Sequence, residues 1–329
     1  MRAFVIRRRW LGLVAVAVVA VACGTSATDP PAGSNADAGN VDEAGQSPAD
    51  DAASATDGAE AASPADAAVD VESGSDAAVA ACDVTKDFAA PVAVAGLATT
   101  MWAAFSPDEL TAYVTKNRGP AGLTYNDIVV ATRASAMAAF TPGATLLTAP
   151  NAVFTIWISV DGLRAYGDGV SDSNPQDSVY LATRSNPLAT TAFSSFTFPV
   201  PKTTGAPAFY QFTGSLSDDE LELFTDSNTI AHSVRPTKAA AFPAPTSLGI
   251  TGAMPLVGAD GLTLFTIESQ ATRMISLRTR ASQLAAWGAP AGLANINAAG
   301  GGTPVWVSKD GCRLYLSKGG GISMATRPK

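Results

Sequence analysis

Residues 82–329 are predicted to fold as an all-β ring of five blades, and three observations in the sequence predict it. A short motif built on aspartate recurs five times, with Asp108, Asp161, Asp219, Asp260 and Asp310 spaced 53, 58, 41 and 50 residues apart. Five residues after each Asp stands an aromatic: Tyr113, Tyr166, Phe224, Phe265 and Tyr315. Between these marks the apolar residues alternate in short runs, and no stretch carries the apolar period of a long helix. Short strands repeating at a period near fifty are the pattern of a five-bladed β-propeller, in which each repeat is one small antiparallel sheet.

Each copy supplies its elements in the same order. First comes an apolar run ending in the Asp motif: "FSPDELTAY" at 105–113, "ISVDGLRAY" at 158–166, "LSDDELELF" at 216–224, "VGADGLTLF" at 257–265 and "VSKDGCRLY" at 307–315. The Asp followed by Gly or Glu reads as a tight turn, because Asp accepts from backbone amides two residues on and Gly tolerates positive φ. The alternating residues after it read as a second strand, packed on both faces. A third strand ends at an arginine, as in "DIVVATR" at Arg133, "SVYLATR" at Arg184, "IAHSVR" at Arg235, "MISLRTR" at Arg280 and "GISMATR" at Arg327. A fourth opens on an aromatic: Phe140, Phe193, Phe242, Trp287 and, ahead of the first copy, Phe88. A feature repeated in every blade is expected to be structural, so the five Asp and five Arg residues are assigned to the scaffold. Pairing between them is an open alternative.

The hydrophobic-Ser-Pro-Asp-Gly turn followed by an aromatic strand resembles the WD-like propeller repeats of TolB-type periplasmic proteins. "FSPDE" at 105–109 is nearest to that pattern, and "VGADG" at 257–261 lacks its serine. The resemblance implies that the Asp turn joins the innermost strand to the second and that the "ATR" stretch is the third. Blade five then ends at Lys329 without its outer strand. The unpartnered "FAAPVAVAGL" at 88–97 is of the type to supply it, so the ring is expected to close by an N-terminal strand completing the last blade. Such closure removes open sheet edges.

The chain ahead of this domain has a different composition. Residues 1–22 carry Arg2, Arg7, Arg8 and Arg9, then an apolar run from Trp10 to Ala22 that is short for a membrane span. The segment "AVAC" ending at Cys23 resembles the lipobox of bacterial lipoproteins, with Ala20 where that family usually has Leu. The resemblance implies a signal peptide over 1–22 and a lipid on Cys23; the alternative is an ordinary secretory cleavage. Residues 24–81 contain no Lys, Arg, Leu, Ile, Met or aromatic residue and hold 12 acidic ones. With so little to bury, 23–81 is expected to be a disordered tether, with ends typically about 40 Å apart.

Charge divides along the same boundaries. The net −8 comprises +4 in the signal, −12 in the tether and zero over 82–329. The acidic balance therefore belongs to the tether, and without a basic patch nucleic acid is excluded as a partner. If Cys23 carries lipid, Cys82 and Cys312 remain. Cys82 lies six residues before the closing strand and Cys312 in the blade that strand completes. In an oxidising envelope a disulfide there would lock the seam; the alternative is two unpaired thiols, with Cys312 as a small core residue.

Catalytic groups are few. His232 is the single histidine, which excludes a multi-histidine zinc site and reads as structural. No cofactor and no metal are expected. Asymmetry lies in the connections, and the candidate binding-face residues come from them: Arg118 and Tyr125 in "TKNRGPAGLTYND", Asp168, Asp172 and Asp177 in "GDGVSDSNPQDS", Tyr210, Asp226 and Glu268. Both quoted stretches are expected to project from one face. The three Asp residues offer oxygen ligands for calcium, but their spacing matches no calcium loop and favours a solvated hairpin. The function expected is a monomeric, non-catalytic module binding an envelope protein or glycan, lipid-anchored in the cell envelope, with outer-membrane sorting implied by Gly24. The alternative is a glycan-active hydrolase using Asp168, Asp226 and Glu268 at the channel mouth.

Overall fold

The structure is a computed structural model. It describes residues 82–117, 126–148, 152–171, 174–188, 190–194, 211–226, 229–269 and 271–329. The chain divides into two units, Met1–Val71 and Glu72–Lys329, and all described residues belong to the second. Cys23 and residues 24–81 lie outside them.

The second unit is a five-bladed β-propeller. After β1 (Val92–Ala93), blade one comprises β2 (Ala103–Phe105), β3 (Thr111–Asn117), β4 (Asn126–Thr132) and β5 (Thr141–Leu147). Blade two comprises β6 (Ala152–Ile158), β7 (Arg164–Ser171) and β8 (Asn174–Thr183). Blade three follows with β9 (Gln211–Leu216), β10 (Glu222–Asp226), β11 (Thr229–Val234) and β12 (Thr246–Thr251), and blade four with β13 (Ala253–Val257), β14 (Thr263–Ile267), β15 (Ile275–Thr279) and β16 (Ala291–Gly292). A one-turn helix α1 (Ala294–Ala298) leads into blade five, built from β17 (Thr303–Val307), β18 (Arg313–Lys318), β19 (Gly321–Thr326) and β1. The innermost strands β2, β6, β9, β13 and β17 neighbour one another in a closed circuit.

Closure occurs where the sequence places it. Val92 pairs with Met324 and Ala93 with Ser323, antiparallel. Further backbone bonds run from Ala89 N to Thr326 O and from Val94 N to Ile322 O. Cys82 and Cys312 are disulfide-bonded, their Cα atoms 5.7 Å apart. A leucine site in blade two, Leu163, has therefore become a cysteine in blade five because only that blade joins both ends of the domain.

The turn chemistry explains the repeat. Ser106 Oγ donates to Asp108 Oδ1 at 2.5 Å, Leu110 N donates to the same oxygen at 3.0 Å, and Thr111 N donates to Ser106 Oγ. The same set recurs on Asp161, Asp219 and Asp310 with Ser159, Ser217 and Ser308. In blade four Gly258 stands in place of the serine, and a Cβ there would fall 2.0 Å from Thr263 Oγ1. The Thr263 hydroxyl, which donates to Asp260 Oδ1, occupies that space instead. After each Asp the backbone is left-handed, at Gly162, Gly261 and Gly311 and also at Glu109 (φ 60°) and Glu220 (φ 61°).

The arginines do not pair with the anchor aspartates of their own blades. Arg133, Arg184, Arg235, Arg280 and Arg327 each donate Nε to the carbonyl of the residue after the Asp, at 2.6–3.1 Å. Their guanidinium planes lie over Phe140, Phe193, Phe242, Trp287 and Phe88, 4.2–4.5 Å from the ring centroids. One arginine thus clamps the turn, the third strand and the aromatic of the fourth, by hydrogen bond and cation–π contact. In blade five the aromatic is Phe88, supplied from the far end of the domain.

Blade two shows three strands among the described residues; the fourth, expected to open at Phe193, falls mostly on residues outside them, and within them Ser194 N donates to Thr183 O and Phe193 N to Leu146 O. The stretch 167–178 forms a β-hairpin, with β7 and β8 running through all of it except residues 172–173.

Candidate functional site

Strands alternate in direction within a blade, so the Asp turns and the connections from third to fourth strand share one end of the domain. At this end the residue preceding each anchor Asp rims the central channel: Pro107, Val160, Asp218, Ala259 and Lys309. The repeat is broken here, since all five differ. Phe105, Trp157 and Trp306 line the same space. To one side it widens into a cavity of about 540 Å³ that reaches Ser217, Lys238 and Gln283.

Asp218 and Lys309 give this mouth its charge pattern. Burial pushes the Asp218 carboxyl above its ordinary value, and Asp219 and Asp260 add to the rise while Lys309 opposes it. Lys238 Nζ is held at 3.0 Å by Glu220 Oε1. The mouth therefore offers a carboxylate, an exposed ammonium and the apolar Val160 and Ala259, an arrangement suited to an extended polar segment such as a peptide or glycan strand.

The half-buried carboxylate detracts from stability. A raised pKa means that the folded state holds the proton more tightly, so stability falls as pH rises from the ordinary carboxyl value through the folded one. Asp218→Asn is expected to raise the melting temperature at neutral pH and leave it unchanged near about pH 3. Equal melting curves for both proteins at every pH would show that Asp218 carries no such strain.

The candidate binding-face residues lie at the other end or outside the described residues. Arg118, Tyr125, Asp172 and Tyr210 are outside them. Asp168 lies within β7 and Asp177 within β8, and their side chains are likewise outside the described set. Asp226 ends β10; it is buried and its Oδ2 accepts from Met254 N at 2.6 Å. Glu268 follows β14 and is exposed. His232 stacks on Phe224 at 4.7 Å, with Nε2 3.7 Å from Glu222 Oε2.

Three buried glutamates lie outside the candidate set, Glu109, Glu220 and Glu222, the last accepting from Arg280. Glu109, 2% exposed, accepts from Arg313 Nε and Tyr315 OH of blade five; Glu220, 0% exposed, accepts from Arg164 and Tyr166 OH of blade two. For Glu109 and Glu220 the signal was present as a covariation between neighbouring copies. Copies one and three read "DE", and the copies preceding them around the ring, five and two, carry Arg three residues after the Asp.

No family model and no curated protein matches the sequence. Solved structures similar to it are distant. A functionally unknown protein from Desulfotomaculum acetoxidans is 16% identical, with 66% of this chain and 62% of that one covered, at a TM-score of 0.40. This chain thus spans less than two thirds of that protein's length. A GH62 α-L-arabinofuranosidase catalytic domain from Coprinopsis cinerea is 12% identical over 74% of this chain and 97% of that one, at 0.48. An endo-arabinase from Bacteroides thetaiotaomicron is 12% identical over 74% and 98%, at 0.44. At TM-scores below 0.5 these likenesses do not bear on what this chain does.

Proposed function

We propose that this chain is an extracytoplasmic lipoprotein, anchored through Cys23 and extended on the acidic segment 24–81, whose TolB-like propeller is a non-catalytic binding module for an envelope protein or glycan. The observation that carries the location is the Cys82–Cys312 bond, because a disulfide closing a domain persists in oxidising compartments and is rare in reducing ones. The observation that supports binding is the turn-face mouth, where the five-fold repeat gives way to Asp218, Lys309 and an open cavity. A site normally breaks the symmetry of its scaffold, and at the mouth all five repeated positions carry different residues.

The other reading, a glycan hydrolase, accords with the names of the arabinofuranosidase and arabinase structures, at a similarity too low to carry it. It requires converging carboxylates, and Asp226 is buried against a backbone amide.

The test is made in intact cells. Palmitate label is expected on the wild-type chain and absent from Cys23→Ser, which should leave the membrane fraction. Crosslinking is expected to recover one reproducible partner, lost on Lys309→Glu with Asp218→Lys. Equal membrane retention of both forms would remove the anchor; release of sugars from arabinan would replace the binding reading with the hydrolytic one.

A further inference from the structure

The five blade junctions are five versions of one contact. In each, the arginine ending the third strand of one blade faces the second strand of the blade before it. Arg184 Nη2 donates to Tyr113 OH at 2.8 Å, Arg235 Nη2 to Tyr166 OH at 3.0 Å, and Arg133 Nη2 to Tyr315 OH at 3.3 Å. Where blade three meets blade four the aromatic is Phe224, which has no hydroxyl. There Glu222 takes over, accepting from Arg280 Nη2 at 2.7 Å.

The junction between blades four and five has neither device. Its aromatic is Phe265, the position matching Glu222 is Thr263, and the residue after the Asp is Gly311 rather than Glu. Arg327 donates Nε to Gly311 O and Nη1 to the carbonyls of Val84 and Lys86, and Nη2 has no hydrogen-bond partner among the described residues. No carboxylate among them forms an ion pair with it. Burial pulls its guanidinium below the ordinary value, with Asp87 and Asp83 opposing from a distance. A cavity of about 230 Å³ lies at this junction, lined by Phe265, Leu277, Val307 and Arg327 and, toward the channel mouth, by Ala259 and Lys309. Asp260 and Asp310 also line it, but each Oδ1 caps its own turn and Asp310 Oδ2 is held by Arg313.

We propose that this junction is a ligand site for a small monocarboxylate with an apolar body, its carboxylate received by Arg327 Nη2. The ligand would supply from outside what Glu222 supplies to Arg280, a carboxylate on an otherwise unmatched guanidinium. The apolar walls receive the rest of the molecule. A dry cavity of about 150 Å³ accommodates benzene, so the space here suits a phenyl ring with a short acid arm. The cavity meets the channel mouth at Ala259 and Lys309, which line both, while Arg327 stands at the blade junction, away from the rim.

Phenylacetate is the probe, titrated calorimetrically into the oxidised full chain against 2-phenylethanol, which keeps the ring and lacks the charge. Phenylacetate is expected to bind with a Kd on the order of 1 mM or tighter, and the alcohol at least about tenfold more weakly, the loss of a charge-assisted hydrogen bond. Two variants should close the site from within. Phe265→Tyr restores the hydroxyl that three other junctions use. Gly311→Glu places a carboxylate where Glu109 and Glu220 stand, at a φ of 70° against their 60° and 61°, with Val84 Cγ1 the nearest atom at 3.7 Å. Each is expected to weaken phenylacetate at least about tenfold while the melting temperature holds or rises, and Phe224→Tyr, at the neighbouring junction, should leave binding unchanged. The proposal is overturned if phenylacetate fails to bind at about 10 mM, if the alcohol binds as well, if both closing variants bind like the wild type, or if Phe224→Tyr weakens binding equally.

Discussion

Replacing Cys312 by leucine, the residue at the matching place in blade two, is expected to destabilise the domain by about 5 kcal/mol, the loop-closure entropy for a separation of 230 residues. For a domain of this size that is a fall in melting temperature on the order of 10–20 °C. Leucine keeps an apolar side chain at the site, so the loss reports the cross-link rather than a cavity. The magnitude is large because the bond closes almost the whole domain into one loop. The two-residue ladder of β1, the backbone bonds of Asp83, Ala89 and Val94, and the Phe88 ring under Arg327 also hold the seam, without covalent closure. Cys82→Ser and wild type under reductant should melt with Cys312→Leu, and the double variant should melt no lower. An unshifted melting curve for Cys312→Leu would mean that β1 and Phe88 hold the seam without the covalent bond.

The propeller was legible because its turns are local chemistry. Asp two residues before an amide, with Ser two residues before the Asp, folds its turn without help from the rest of the chain. The same six-residue pattern therefore survives in copies whose other residues differ. Blade four shows how the pattern degrades without being lost: Thr263 brings a hydroxyl to the space that Ser106 fills in blade one, from a position three residues after the Asp instead of two before it. The seam was legible by counting, since an unpartnered opening strand and an incomplete last blade leave one arrangement without free edges. The arginine clamp was not. Its recurrence was visible, but its acceptor is a backbone carbonyl, and carbonyls carry no signature in sequence.

The channel mouth and the blade junctions were hidden for a related reason. Asp168, Asp172, Asp177 and Glu268 stand out in the sequence as charges in or beside the connections, whereas Asp218 and Lys309 sit inside the repeat, one residue before an anchor. Only the circular arrangement makes five such positions neighbours. The junctions are likewise contacts between copies, and their partners are separated by 54 to 206 residues. Comparing each copy with the one before it around the ring, rather than aligning all five, exposes the pairing of "DE" with the preceding Arg and the absence of both at Gly311.

Glu220→Ala is expected to cost about 3–5 kcal/mol, the range for removing one partner from a buried charge cluster. Glu220 is fully buried, with Arg164 Nε and Nη2 at 2.6 and 2.7 Å, Lys238 Nζ at 3.0 Å and Tyr166 OH at 3.0 Å. Without its carboxylate the Arg164 and Arg235 guanidinium groups face each other across the junction of blades two and three unbalanced. Glu220→Gly loses the same charge but relieves a left-handed backbone at φ 61°, so it should be about 1 kcal/mol less damaging than alanine. The difference between the two variants separates backbone strain from electrostatics, and chemical denaturation at neutral pH measures both. The pH dependence gives an independent check. Burial alone would raise this carboxyl, but Arg164, Lys238 and Tyr166 hold it below its ordinary value of 4.5. Its contribution is therefore present above about pH 4.5 and lost as pH falls through the lower folded value. Wild type should lose stability on acidification in that window, and Glu220→Gln should lose less. Identical acid profiles for the two would mean that the junction is held by packing of Tyr166 and Leu223 rather than by charge.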